Sequence, residues 1–137
     1  MTTELNTNFI AALRAAGAVK YNELLPETKV IENYLLPDER LLGVVYGRYK
    51  QQRNAAISRG VLVATDQRVL LINKKPLFLK HDEFGYRAIS GVDFSWVAIM
   101  GTVTLQTRLG DIHIRTFNKR CAETFVRAIE SNLAQSK

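Results

Sequence analysis

The stretch that most limits how this chain can fold is Gly60–Asn73, GVLVATDQRVLLIN. Two short apolar runs flank a polar turn, Thr65-Asp66-Gln67-Arg68, a pattern that reads as a β-hairpin. Folding the runs together sets Ala64 against Val69, Val63 against Leu70, Leu62 against Leu71 and Val61 against Ile72. Side chains alternate across a strand, so Val61, Val63, Leu70 and Ile72 share one face. Leu62, Ala64, Val69 and Leu71 share the other. Both faces are apolar, which a sheet with one face in water would not show. One face therefore lines a core, and the other needs a cover. An N-terminal helix and a second subunit are the two candidates.

The N-terminal residues can supply such a helix. Leu5, Phe9, Ala12, Leu13 and Ala16 recur at helical spacing, and Gly17 is a stop signal. A second short helix is expected within Tyr21–Leu36, with Pro26 in its first turn and Val30, Ile31, Tyr34 and Leu35 on its buried stripe. Pro37 ends it, because proline holds the preceding residue extended. From Leu41 the period changes. Leu41–Tyr49 reads as a first strand, with Gly43 and Gly47 marking a bend or the close approach of another element. Lys50–Arg59, KQQRNAAISR, reads as a polar loop before the hairpin.

Beyond the hairpin, Leu77–Phe84 is expected as an edge strand protected by Lys80, His81, Asp82 and Glu83. Ile89–Ser95 is a fifth strand, and Trp96–Gly101, WVAIMG, an apolar connection. Thr102–Leu109 and Asp111–Phe117 form a last hairpin around Gly110-Asp111. That pairing sets Leu105, Thr107, Leu109, Ile112, Ile114 and Thr116 inward. Thr104, Gln106, Arg108, His113, Arg115 and Phe117 face outward. Asn118 is the expected N-cap of a final helix, whose buried stripe is Cys121, Phe125, Ile129 and Leu133. The order is two short helices, seven strands and one helix. The organisation expected is a helical extension over residues 1–36 and one mainly β domain over 37–137.

Seven antiparallel strands closed by a C-terminal helix is the pleckstrin-homology (PH) plan. The chain resembles the bacterial PH-like family, in particular its YokE-like branch. The resemblance lies in Gly60–Asn73, in FGYRAISGVDF at Phe84–Phe94, in GTVTLQTRLGDIHI at Gly101–Ile114, and in the helix after Asn118. A Thr-Asp-x-Arg turn followed by the step Tyr86, Ile89, Val92 is its most specific part. The resemblance implies a PH-like fold: a seven-stranded antiparallel β-sandwich or partly open barrel capped by a C-terminal α-helix. It also implies a binding module with no catalytic residues. PH domains that bind phosphoinositides use Lys and Arg from the first two strands and the loop between them. The corresponding residues here are Arg48, Lys50, Arg53 and Arg59. Ser58-Arg59-Gly60 supplies one cation where that pattern has two.

Charge bears on the choice of partner. The net charge is +6. Residues 1–40 carry four basic and six acidic side chains, and residues 41–137 fifteen and seven. The basic surface thus belongs to the β domain, where it can meet an acidic protein, an anionic membrane or nothing beyond solvent. Nucleic acid ranks below these, since no basic sheet interleaved with aromatics and no recognition helix appears. Trp96, Val97, Ile99 and Met100 are the candidates for an interface. One cysteine and two scattered histidines make neither a disulfide nor a zinc site, and no other metal or cofactor is implied. Cys121 is expected as buried filler. Asp82 and Glu83 point to opposite faces and cannot act as a pair. The N-terminus lacks a secretory pattern, and no apolar run is long enough to span a bilayer. The expectation is a cytoplasmic, non-enzymatic, homo-oligomeric module that recognises a protein partner. The alternative is a membrane-peripheral module attracted to anionic lipid.

Overall fold

The computed structural model describes residues 5–51, 54–75 and 79–135. Three helices come first: α1 (Thr7–Ala15), α2 (Lys20–Glu23) and α3 (Pro26–Tyr34). Seven strands follow: β1 (Leu41–Gln51), β2 (Asn54–Thr65), β3 (Arg68–Lys74), β4 (Leu79–Gly85), β5 (Ile89–Val97), β6 (Met100–Thr107) and β7 (Gly110–Thr116). A 3-10 turn, Tyr86–Ala88, joins β4 to β5, and α4 (Lys119–Gln135) ends the fold. The strands form one antiparallel sheet in the order β4-β3-β2-β1-β7-β6-β5. β4 and β5 are its two edges, so the barrel is open between them, as the sequence led us to expect.

The central hairpin pairs as its pattern dictates, Val61 with Ile72 through Ala64 with Val69. Its two apolar faces serve two cores. Leu62, Ala64, Val69 and Leu71 join Val45, Leu105, Ile114, Phe125 and Ile129 inside the sheet, beneath α4. Val61, Val63, Leu70 and Ile72 pack outward against Phe9, Leu13 and Ile31 of α1 and α3. The cover for the second face thus comes from the chain itself. At ~25 cal/mol per Å² of apolar surface removed from water, such a face strongly favours docking of helices too short to be stable alone.

Three contacts fasten this cover. Asn6 caps α1 by accepting from the Asn8 N–H at 2.8 Å, and its own N–H donates to Glu32 on α3 at 2.6 Å. Gly17 ends α1 in the left-handed region, φ +98°, where a Cβ would also lie 2.9 Å from the Cys121 backbone nitrogen. The Asn118 side chain accepts from the Cys121 N–H as the α4 cap and donates to the Gly17 carbonyl at 3.0 Å. One residue thereby ties the helical layer to the start of α4.

The Thr65–Arg68 turn is held by charge. The Arg68 Nε and Nη2 donate to the two carboxylate oxygens of Glu39, each at 2.9 Å, and Nη2 also donates to the Tyr34 carbonyl. Thr65 Oγ1 donates to Glu39 at 2.6 Å, and Arg68 Nη1 lies 3.0 Å from Glu83. The Glu39 side chain is fully buried. Burial alone would raise its pKa. Hydrogen bonds from Arg68, Thr65 and the Leu36 N–H outweigh that and hold it below the ordinary carboxylate value. The Thr-Asp-x-Arg turn therefore locks the hairpin to the segment leading from α3.

Four expectations need correction. Lys50–Arg59 is not a loop: β1 runs to Gln51 and β2 starts at Asn54, because polar side chains are at home on a strand face open to water. The helices before β1 are three and not two, since a short α2 precedes α3; the expected edge strand is β4, described from Leu79, and its residues 77–78 lie outside the described residues. Trp96–Gly101 is not a connection but the tip of the β5–β6 hairpin, where Val97 pairs with Met100 around Ala98 at φ 56°. The last hairpin turns at Arg108-Leu109, with Thr107 paired to Gly110 at φ 120°. Thr107 Oγ1 stabilises that turn by donating to the Gly110 carbonyl and accepting from the Leu109 N–H. Leu109 is consequently exposed, not inward.

Candidate functional site

The outer face of the sheet is divided. The N-terminal helices cover it over β1–β3, and the remainder, across β1, β7, β6 and β5, is open. Register fixes what the open part presents. Arg48 on β1 pairs with Arg59 on β2 and, on its other side, with Arg115 on β7. Arg115 in turn pairs with Thr102, and Thr102 with Ser95. Directly paired residues point to the same side, so Arg59, Arg48 and Arg115 form one row across three adjacent strands. At strand spacing the row spans ~10 Å. All three are exposed. Among the described residues, none has a carboxylate within ion-pair distance. Lys50 lies in the next row, paired with His113, which contacts Thr104 at 2.9 Å. Arg53 lies outside the described residues.

On the opposite side of the arginine row the surface is apolar. Gly101 pairs with Thr116, which places Met100 beside Phe117, and Met100 pairs with Val97. Val97, Ile99 and Phe117 are 74%, 72% and 67% exposed. Trp96 behaves differently from its neighbours. It lies on the inward side of β5 with Phe94, its ring occupies the space over Gly101, and Lys119 Nζ sits 5.8 Å from its centre. Trp96 closes the end of the barrel, while Val97, Ile99 and Met100 form the outward patch.

Between the two halves of the outer face runs a groove of about 730 Å³. Val19 and Tyr21 at α2 line it together with Phe117 and Lys119, and the register places Arg48 and Arg59 one row along the sheet from Tyr46. Glu27 lines it toward Tyr46. Tyr46 is largely desolvated there, which raises its pKa, and its hydroxyl contacts Thr28 at 2.6 Å.

Among the described residues no group of three His, Cys, Asp or Glu side chains could hold a metal ion. Cys121 is buried, and that burial pushes its thiol up to about 12, so little thiolate forms near neutrality. His113 and His81 stand on separate strands, and Asp82 and Glu83 alternate as strand geometry requires. No helix among the described residues is long and apolar enough to cross a membrane.

The resemblance to PH domains had brought Arg48, Lys50 and Arg59 together, Arg48 on the first strand and the other two in a loop. It missed Arg115 and Phe117 as their neighbours. Alternation along β7 already pointed both outward; the pairing of β7 with β1 is what joins them to Arg48, and that contact is remote in sequence.

Solved structures resemble this fold at low identity. The Vps36 N-terminal PH domain is 15% identical with a TM-score of 0.56, over 74% of this chain and 84% of that one. The C-terminal domain of an unknown protein from Leishmania infantum is 18% identical with a TM-score of 0.51, over 69% and 85%. No curated protein matches the chain. The model of the family described as bacterial PH domain matches residues 35–131, which hold all seven strands and most of α4. The chain belongs to the bacterial PH domain family.

Proposed function

We propose that this protein is a non-catalytic binding module that recognises a protein partner on the open half of its outer sheet face. The observation that carries the reading is the contrast between the two halves. One is sealed by the chain's own helices. The other leaves Val97, Ile99 and Phe117 in water, with Met100 half-buried among them, beside cations that have no ion pair among the described residues. Aliphatic and aromatic side chains grouped at a surface, with arginine at the margin, are the composition of a protein interface. In this reading residues 37–137 are the binding unit and residues 1–36 its permanent cover. The YokE-like branch is the member group we favour within the family, on the Gly60–Asn73 motif. Self-association would use the β5–β6 tip, since the outer face of the central hairpin is already occupied.

The test is affinity capture from native lysate by the wild type and by a Val97→Ser, Ile99→Ser, Phe117→Ser variant, with light scattering on both. A partner or second copy held by the wild type and lost by the variant is expected. Capture that ignores the variant overturns the reading. So does binding of both proteins to anionic liposomes with no protein captured, which would favour the peripheral-membrane alternative.

A further inference from the structure

The arginine row poses a physical problem that the fold does not solve. Like charges directly opposite on neighbouring strands destabilise a sheet. Here three guanidinium groups stand in adjacent register with no carboxylate paired to them among the described residues. Lys50 and His113 lie one row away and add no negative charge. The first acidic group of β5 on this face is Asp93, at the far edge, where it accepts from Gln106 at 3.2 Å. Elsewhere the chain pairs its partly buried cations carefully, as Arg68 with Glu39 and Glu83, and Lys29 with Glu32. A row of like charges with no counter-charge of its own among the described residues is where a ligand is expected to supply the missing charge.

The shape around the row restricts that ligand. Arg48 and Arg59, one row along the sheet from Tyr46, line a groove together with Val19 and Tyr21 at α2 and with Phe117 and Lys119. A bilayer cannot enter such a groove; a single extended chain can. The groove is chemically polarised. Val19, Tyr21 and Phe117 make its walls apolar, and Glu27 lines it on the Tyr46 side, two residues along β1 from Arg48. A negative group is repelled by Glu27 and attracted to the arginines. The row's ~10 Å span equals about three residues of extended chain.

We infer that the groove and the Arg59–Arg48–Arg115 row bind an acidic, amphipathic peptide segment. An apolar side chain lies between Tyr21 and Phe117, and two or more carboxylates lie on the arginines. This deepens the function proposed above and rests on it. Arginine favours such a ligand because its planar fork bonds a carboxylate through two parallel donors.

The test is selection of a random dodecapeptide display library on the full-length protein. An Arg48→Glu, Arg59→Glu variant is run in parallel, with Arg48→Gln, Arg59→Gln as a second variant should charge reversal disturb folding. Enriched peptides are expected to carry clustered Asp or Glu next to a bulky apolar residue. They should bind the glutamine variant at least tenfold more weakly and lose affinity between 50 and 500 mM salt. Enriched peptides that map to this face but lack acidic clusters would overturn the inference and leave the protein-binding reading intact. Equal binding to wild type and variant would also overturn it. No enriched peptide, with flotation of the protein on vesicles of anionic phospholipid, would overturn both.

Discussion

Replacing Arg68 by Ala should be among the most damaging single changes outside the apolar cores. Glu39 is fully buried beside it and takes two of its hydrogen bonds from the guanidinium. Removing the cation strands a desolvated carboxylate, which costs ~3–5 kcal/mol in comparable buried pairs. The Glu83 contact adds little, since that side chain is 52% exposed. For a domain stable by ~5–15 kcal/mol the loss is large, and it lowers the melting temperature by roughly 10–20 °C. The sole tryptophan, Trp96, lies away from the turn, so its fluorescence in urea reports global unfolding. The pH dependence separates charge from packing. In the wild type Glu39 is held below its usual value of 4.5, so its contribution is full above that value. It is lost as pH falls through the lowered one. In the variant the burial that remains favours the protonated form. The stability gap between the two proteins should therefore shrink as pH falls from 7 toward 4. A gap below ~1 kcal/mol at neutral pH, or one that does not change with pH, would refute the account of this pair.

Three further outcomes follow from the packing. Leu13→Ala should cost ~2–5 kcal/mol in urea unfolding, because Leu13 is fully buried between α1 and the outer face of the central hairpin. A cost under ~1 kcal/mol would mean that the helices are not the cover. Gly47→Ala should cost about 3 kcal/mol, since its Cβ would fall 1.8 Å from the Arg115 carbonyl oxygen. Gly85→Ala, with nothing within 4 Å, should stay within ~0.5 kcal/mol. Cys121 should resist thiol reagents in native protein at pH 8 and react only on unfolding, a contrast read by labelling and mass spectrometry.

How much of this was legible in the chain depended on whether the deciding contact was local. The central hairpin could be paired residue by residue, because its turn and its two apolar faces leave one alternation. The last hairpin shows how register can fail harmlessly. Gly110-Asp111 looks like the turn, yet Arg108-Leu109 is, so the turn moves by two residues and each residue's partner by four. Two is the period of side-chain alternation, so His113, Arg115 and Phe117 still face outward, and only Leu109 changes sides. The strands flanking residues 52–53 were hidden by their polarity, which on the open part of the outer face carries no penalty. Trp96 could not be told from Val97 in an apolar run; pairing with Gly101 turns it inward. The arginine row was out of reach for a different reason. It needs β7 beside β1, and more than 50 residues of chain separate the two strands.

The central claim is that partners dock on the open half of the outer sheet face. Hydrogen-exchange mass spectrometry of the protein, alone and with its captured partner, tests it directly. Protection is expected across Tyr46–Lys50, Val97–Met100 and His113–Lys119, with β4 and the outward side of α4 unchanged. Protection confined to β4 or α4, with those three segments exchanging as in the isolated protein, would contradict the account.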